Sequence, residues 1–202
     1  MYNAEDIKLF SLNFIPQYFG GAISFEVPFL NGSRRADILL SNQEELISFE
    51  IKSDADSLST LKEQLSDYKR CFNSTYVICG EKHLKKIQGN KCIDAGIILF
   101  KDGLFHPIRR SRKRVRLDTR ARLAMCDISF LRKMSSKKTK NDMIDEIVSS
   151  PRKVTEIEFA ITQHISSRIT NVYSLYMRQR EQLNNYEKLM MLSLRRHLIS
   201  FI

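Results

Sequence analysis

Asp37, Glu50 and Lys52 stand close together in the chain and carry the side chains that phosphodiester hydrolysis needs. If Phe49-Glu50-Ile51-Lys52 is a β-strand, side chains alternate between its faces. Glu50 and Lys52 then share one face, with Cα atoms roughly 6 to 7 Å apart. Asp37, within Arg35-Ala36-Asp37-Ile38-Leu39-Leu40, falls on the neighbouring strand of a hairpin, where the right register sets it beside Glu50. Two carboxylates among apolar runs repel one another unless a cation joins them, and a hard oxygen-donor set suits Mg²⁺ or Mn²⁺. The expected ligands are Asp37, Glu50 and the backbone carbonyl of Ile51. Hydrolysis at phosphorus requires charge neutralisation on the phosphoryl oxygens, a nucleophilic water and a group that orients it. Lys52 would position that water and stabilise the pentacovalent state, and it would serve as general base if its surroundings lower its pKa.

These residues need a sheet and a helix to hold them. Ile7, Phe10 and Phe14 mark a first helix over residues 4 to 15, capped by Asn3 and ended by Pro16 and Gly20-Gly21. Three apolar runs follow, near 24 to 30, 35 to 41 and 45 to 52. Turn residues Asn31-Gly32-Ser33 and Ser41-Asn42-Gln43-Glu44 separate them, which predicts a β-meander. Leu58, Leu61, Leu65, Tyr68 and Phe72 recur at helical spacing, so residues 57 to 72 form a helix with Asp56 or Ser57 as its cap. Gln64 and Tyr68 share one face of it; Gln64 can reach the attacking water or a phosphate while the Tyr68 ring packs beneath. Thr75–Cys79 reads as a strand, 81 to 88 as a short helix, and Gly96–Phe100 as a strand turning at Lys101-Asp102-Gly103, with more sheet after it. The order α-β-β-β-α-β predicts an α/β fold with a mixed sheet and helices on its faces.

Beyond Arg116 the composition turns helical, with helices expected near 118 to 134, 141 to 149, 152 to 165 and about 168 to 198, and Lys137–Lys140 as a linker. The apolar stripe Ile157, Ile161, Ile165, Ile169, Val172, Tyr176 and Leu183 predicts helix pairing within the chain or in a homo-oligomer. We therefore expect a catalytic domain over residues 1 to 116 and a basic helical region over 117 to 202.

Charge divides along the same line. The formal net charge is +10, yet residues 1 to 100 hold 11 Lys/Arg against 13 Asp/Glu, while residues 101 to 202 hold 22 against 10. Such a basic half attracts a polyanion. Its densest stretch, RRSRKRVRLDTRAR at 109 to 122, offers Arg109, Arg110, Arg112, Lys113, Arg114 and Arg116 as a grip on a nucleic-acid backbone, DNA ahead of RNA. Arg34 and Arg35 flank the carboxylates and could hold phosphate, although exposed hairpin charges look the same in sequence. The apolar stretch Leu9–Leu30 is interrupted by Pro16, Gly20, Gly21 and Glu26, which fits neither a signal peptide nor a membrane span. Cys71, Cys79, Cys92 and Cys126 stand singly, as expected of free thiols in a reducing cytoplasm, and the four histidines form no pattern.

SRRADILL, followed by FEIKSDADSLSTLKEQLSDY, resembles the D…ExK core of the PD-(D/E)XK nucleases, continued by the Gln-x-x-x-Tyr helix of their RecB-like branch. Gln64 and Tyr68 supply that second motif. EIKSDADSL is similar to a narrower group of small bacterial and mobile-element proteins assigned to that superfamily. The resemblance covers about residues 24 to 100. It implies a restriction-endonuclease-like core and a Mg²⁺-dependent hydrolase, an endonuclease among the options. It also implies a role for Glu26, eleven residues before Asp37, as a further acidic ligand like the superfamily's upstream glutamate, with Glu5 as the competing choice. Two positions depart from the pattern: Ala36 replaces the proline before the aspartate and removes no ligand, and Thr60 replaces an arginine expected of the closer relatives, with the phosphate contact it would make. Asp54 and Asp56 fit helix capping as well as metal binding. Two rival readings use the same residues: a non-catalytic nucleic-acid-binding protein that keeps the fold, and a partner-dependent interaction subunit.

Overall fold

The computed structural model describes residues 2–193. Helix α1 spans Ala4–Phe19 and opens on a reciprocal cap, in which the Asn3 side chain accepts from the Asp6 N–H and the Asp6 carboxylate accepts from the Asn3 N–H. It continues through Pro16, where we expected it to stop. A proline in the last turn forfeits one backbone donor, and Phe19 gains ring contacts with Phe49 and Tyr76 at centroid distances of 5.2 and 5.0 Å. Gly21, at φ +116°, closes the turn where an ideal Cβ would lie 2.3 Å from the Ser41 carbonyl oxygen.

Six strands follow in sequence order across one sheet: β1 (Ala22–Phe29), β2 (Arg34–Ser41), β3 (Leu46–Lys52), β4 (Ser74–Cys79), β5 (Gly96–Lys101) and β6 (Leu104–Arg109). β1, β2 and β3 are antiparallel, β3, β4 and β5 are parallel, and β6 returns antiparallel to β5. The parallel steps need crossovers, supplied by α2 (Leu61–Cys71) and α3 (Glu81–Gly89). The fold is thus mixed α/β with helices against the sheet, as expected. α2 begins four residues later than the apolar spacing suggested. Asp56 instead closes a turn, accepting from the Ser53 N–H and hydroxyl at 2.8 and 2.7 Å, and Ser57 bonds Ser59. Asp54 accepts from the Lys82 N–H in the first turn of α3 at 3.1 Å, so both aspartates serve local turns and caps.

The remaining helices are α4 (Thr119–Leu123), α5 (Ile128–Leu131), α6 (Lys140–Ser149), α7 (Val154–Gln179) and α8 (Asn185–Leu192). The single helix expected over 118 to 134 is broken because Asp127 caps a fresh start, accepting from the Phe130 N–H at 2.8 Å. The two helices expected from 152 onward fuse into α7. Asn184 then caps α8, and the last positions of the helix expected to reach about 198 lie outside the described residues. Ile157, Ile161, Ile165 and Ile169 are buried within the chain, where α7 packs on β1, β2 and α4.

The sheet has a core on each face. One joins Ile7 and Ile15 of α1 to Phe25, Ile38, Phe49, Ile51 and Ile78. The other joins Tyr68 and Phe72 of α2 to Val27, Phe29, Ala36 and Leu39, and continues without interruption into Leu123, Met143, Ile147 and the α7 stripe. The expected boundary near residue 116 therefore does not divide the hydrophobic core. Among the described residues no helix is long and apolar enough to cross a membrane.

Candidate active site

Strand register places three carboxylates in one row. Phe25 pairs with Ile38 and Val27 with Ala36, which brackets Glu26 opposite Asp37; Ile38 pairs with Phe49, so the next positions are Asp37 and Glu50. The alternation of the sheet breaks at this row. Phe25 and Val27, two residues apart, lie in opposite cores, and so do Ile38 and Ala36. Glu26 carries the break in its backbone, at φ +51° in the left-handed region that non-glycine residues adopt only at some cost. The β2–β3 ladder ends at Ile38–Phe49. Beyond it the Ile51 N–H, which continued pairing would turn toward Ala36, donates to Asp37 Oδ2 at 2.8 Å. The Ile51 carbonyl lies on that same edge of β3, because both polar groups of a strand residue point the same way.

Glu50 and Lys52 share a face, as the spacing required, and both are buried. Lys52 Nζ lies 2.9 Å from Glu50 Oε1. The other oxygen, Oε2, accepts from the Tyr68 hydroxyl at 2.7 Å. Burial, reinforced by the Glu50 and Asp37 charges, holds the Tyr68 pKa well above the ordinary phenol value, so Tyr68 remains a donor. Asp37 keeps some contact with solvent yet lies deep among protein atoms. Burial first, then the Glu50 charge, push its carboxyl from 3.8 up to about 7, against the opposing pull of the Ile51 N–H and Lys8. Lys8, on α1, forms an ion pair with Glu26.

Among the described residues the row therefore has an ammonium at each end, Lys8 on Glu26 and Lys52 on Glu50, while the central Asp37 has one amide N–H. This donor set fits a small hard cation. Mg²⁺ keeps several of its waters and uses one or two carboxylates; here those would be Asp37 and Glu50, with the Ile51 carbonyl beside them. A closed cage of protein ligands is a different matter: among the described residues no three His, Cys, Asp or Glu side chains come together in a group able to hold a metal. Glu26 belongs to the row by register but is engaged by Lys8. Lys8 escaped the sequence reading. Its one signal was a charged residue on the buried stripe of α1, with Ile7, Ser11, Leu12 and Ile15.

The other expected site residues divide by position. Gln64, one turn before Tyr68, accepts from the Thr60 hydroxyl at 3.2 Å and makes no hydrogen bond to Asp37, Glu50 or Lys52. The Arg34 guanidinium is taken by Asp67, at 2.7 Å, and Glu63 of α2. Arg35 is exposed, and its backbone carbonyl lies 3.0 Å from the Tyr68 hydroxyl.

The basic stretch starts level with the carboxylate row, since Arg109 pairs with Ile97, Ile97 with Val77 and Val77 with Glu50, and its later residues run on away from that row. β6 runs antiparallel to β5, so the chain returns to the end where β4 begins, and it is laced there: the Arg114 N–H donates to the Asn73 carbonyl at 2.7 Å and the Thr75 N–H to the Ser111 hydroxyl at 3.1 Å. Lys52 is level with Cys79, at the other end of β4, roughly 13 Å from Thr75 at strand rise. Arg109 donates to the Ile93 and Ala95 carbonyls at 2.6 and 2.9 Å, Arg114 pairs with Asp94 at 2.8 Å, and Lys113 lies 3.5 Å from Glu45. Arg110, Arg112 and Arg116 are exposed and make no side-chain hydrogen bond or ion pair among the described residues.

The family model described as Bacteriophage P4 protein cII matches residues 21–193. Protein cII of Enterobacteria phage P4 is 37% identical over 75 residues, covering 37% of this chain and 28% of that relative, so the match spans little more than a quarter of the relative's length. Among solved structures, the SPO1766 protein of unknown function from Silicibacter pomeroyi aligns with a TM-score of 0.42 at 11% identity, over 79% of this chain and 78% of that one.

Proposed function

The chain belongs to the Bacteriophage P4 protein cII family, and from the chemistry of its carboxylate row we propose that it is a metal-dependent nuclease of the PD-(D/E)XK type, acting on nucleic acid, with DNA ahead of RNA. One observation carries this reading: Asp37 is held among protein atoms, between two further carboxylates in strand register, with its pKa pushed up to about 7 and, among the described residues, one amide as hydrogen-bond donor. A divalent cation relieves that repulsion. The antiparallel β1–β2–β3 unit crossing through α2 to a parallel β4 supports a restriction-endonuclease-like core.

Asp37 and Glu50 would hold Mg²⁺ or Mn²⁺ with the Ile51 carbonyl, and the ion would neutralise charge on the phosphoryl oxygens. Lys52 sits beside Glu50, where its ammonium can orient the attacking water and stabilise charge gathering on the phosphate. Tyr68 fixes the Glu50 carboxylate, and Gln64, one turn earlier on the same helix, would contact substrate on exchanging its Thr60 partner. Arg110, Arg112 and Arg116 add backbone affinity away from the site. The test is incubation of labelled single- and double-stranded DNA and RNA with Mg²⁺, Mn²⁺ or EDTA, beside Asp37→Asn and Lys52→Met. Cleavage is expected only with metal and is lost in both variants. Cleavage in EDTA, or undiminished in either variant, rejects the mechanism.

One observation favours a second reading, a non-catalytic nucleic-acid-binding protein on this fold: both oxygens of Glu50 are already engaged, by Lys52 and by Tyr68. Salt-sensitive binding with no cleavage of any substrate in the panel selects it.

A further inference from the structure

We propose that Lys8 is a positioning residue that sets the divalent-cation affinity of the carboxylate row by holding Glu26 in an ion pair. This deepens the metal-site reading above and rests on it. A lysine on the core-facing stripe of a helix loses hydration that only a strong partner can replace. Lys8 is 7% exposed, and its ammonium has one acceptor among the described residues, Glu26. Glu26 in turn stands opposite Asp37 at the backbone break, so its charge state is felt at the centre of the row. The pair borders a cleft of about 250 Å³ that it lines with Glu5, Tyr186 and Leu189, on the Glu26 side of the row. α8 thereby packs beside a pair that belongs to the first strand and helix of the chain.

The consequence is a pair of effects with opposite signs. Without the Lys8 ammonium, Glu26 adds a negative charge beside Asp37 and the row attracts a dication more strongly. Without the Glu26 charge, the ammonium stays and repels the ion. At separations of several ångströms, one unit charge acting on a dication is worth about tenfold or more in affinity.

Mn²⁺ binding to the full chain, followed by titration calorimetry or by the signal of free Mn²⁺ in electron paramagnetic resonance, tests this without any cleavage assay. Lys8→Met and Glu26→Gln keep side-chain volume, and circular dichroism with thermal melting checks that each variant folds. The expected results are about tenfold tighter binding for Lys8→Met, about tenfold weaker for Glu26→Gln, and near-native affinity for Lys8→Arg and for Lys8→Met/Glu26→Gln. The double variant decides between this role and Glu26 as a ligand, because losing a ligand is not repaired by also losing Lys8. Shifts in one direction for both single variants, or a double variant no better than Glu26→Gln, overturn the role of Lys8 alone. A native chain that binds no Mn²⁺ overturns it together with the metal-site reading.

Discussion

The Tyr68 hydroxyl reaches from α2 to β3 and donates to Glu50 Oε2 at 2.7 Å. The same hydroxyl lies 3.0 Å from the Arg35 carbonyl, so one proton faces two acceptors, and the charged one is the stronger. Tyr68→Phe keeps the ring contacts with Phe29 and Phe72 and removes only this donor. It should cost about 1 to 3 kcal/mol, the usual range when a buried charged acceptor loses a partner. Urea denaturation of the metal-free chain measures it, and an unshifted midpoint would show that Tyr68 merely packs against the site.

Asp37 should make the metal-free protein less stable as pH rises. Its folded pKa, about 7, is above the ordinary value of 3.8, so the folded state binds the proton more tightly than the unfolded state does. The stabilisation is fully present below about pH 4, is lost as pH climbs through the interval to about 7, and changes no further above it. The shift bounds the effect at roughly 4 kcal/mol. Asp37→Asn should flatten that slope, and Mg²⁺ should stabilise the native chain more at pH 8 than at pH 6. Denaturation free energies across that range decide the matter; equal slopes for native and variant would remove Asp37 as the cause.

Strand positions were legible because period-two alternation in Phe49-Glu50-Ile51-Lys52 sorts side chains between two faces, even though both faces of this strand are buried, and the turn residues around Asn31 and Asn42 delimited the meander. What alternation could not reveal was its own interruption. Glu26 adopts φ +51° without being glycine, and nothing in the residue type announces that the two faces exchange there. Helix boundaries failed where side chains chose other partners: Asp56 closed a turn with Ser53, and Asp127 opened a new helix. The Lys8 ion pair and the course of the arginines past the start of β4 are tertiary facts. The first depends on which face of α1 meets β1, and the second on the direction in which β6 returns.

The arginines of the 109 to 116 stretch should separate into two classes on mutation. Replacing Arg110, Arg112 and Arg116 together by Gln should weaken polyanion binding. For duplex DNA the slope of log affinity against log salt should fall by up to about 3, near 0.9 for each phosphate no longer neutralised. Folding stability should be unaffected. Arg109→Gln should instead destabilise the fold by about 1 to 3 kcal/mol, because the Ile93 and Ala95 carbonyls, in the segment just before β5, lose their donor. Filter binding at about 50 and 200 mM salt, paired with thermal melting, sorts them. A triple variant with native salt dependence would place the nucleic-acid surface elsewhere.

Lys52 should distinguish charge from mere hydrophobic filling. Its ammonium is buried beside Glu50, so Lys52→Met leaves that carboxylate with Tyr68 as its one donor and should cost about 3 to 5 kcal/mol in the metal-free chain. On the proposed metal site, Mg²⁺ would replace the missing positive charge next to Glu50, so the deficit in stability should shrink on adding metal. Catalysis should not recover with it, because the ion supplies charge but not the N–H donor that Lys52 aims at the water and phosphate; a loss of about 10²-fold or more is the expected size for a group in that role. Lys52→Arg retains the charge and should preserve stability while still losing rate, since a planar guanidinium does not place its donors where an ammonium does. Stability and cleavage therefore have to be measured on the same variants with and without metal. If Mg²⁺ restored the rate of Lys52→Met along with its stability, Lys52 would be a counter-ion for Glu50 and nothing more.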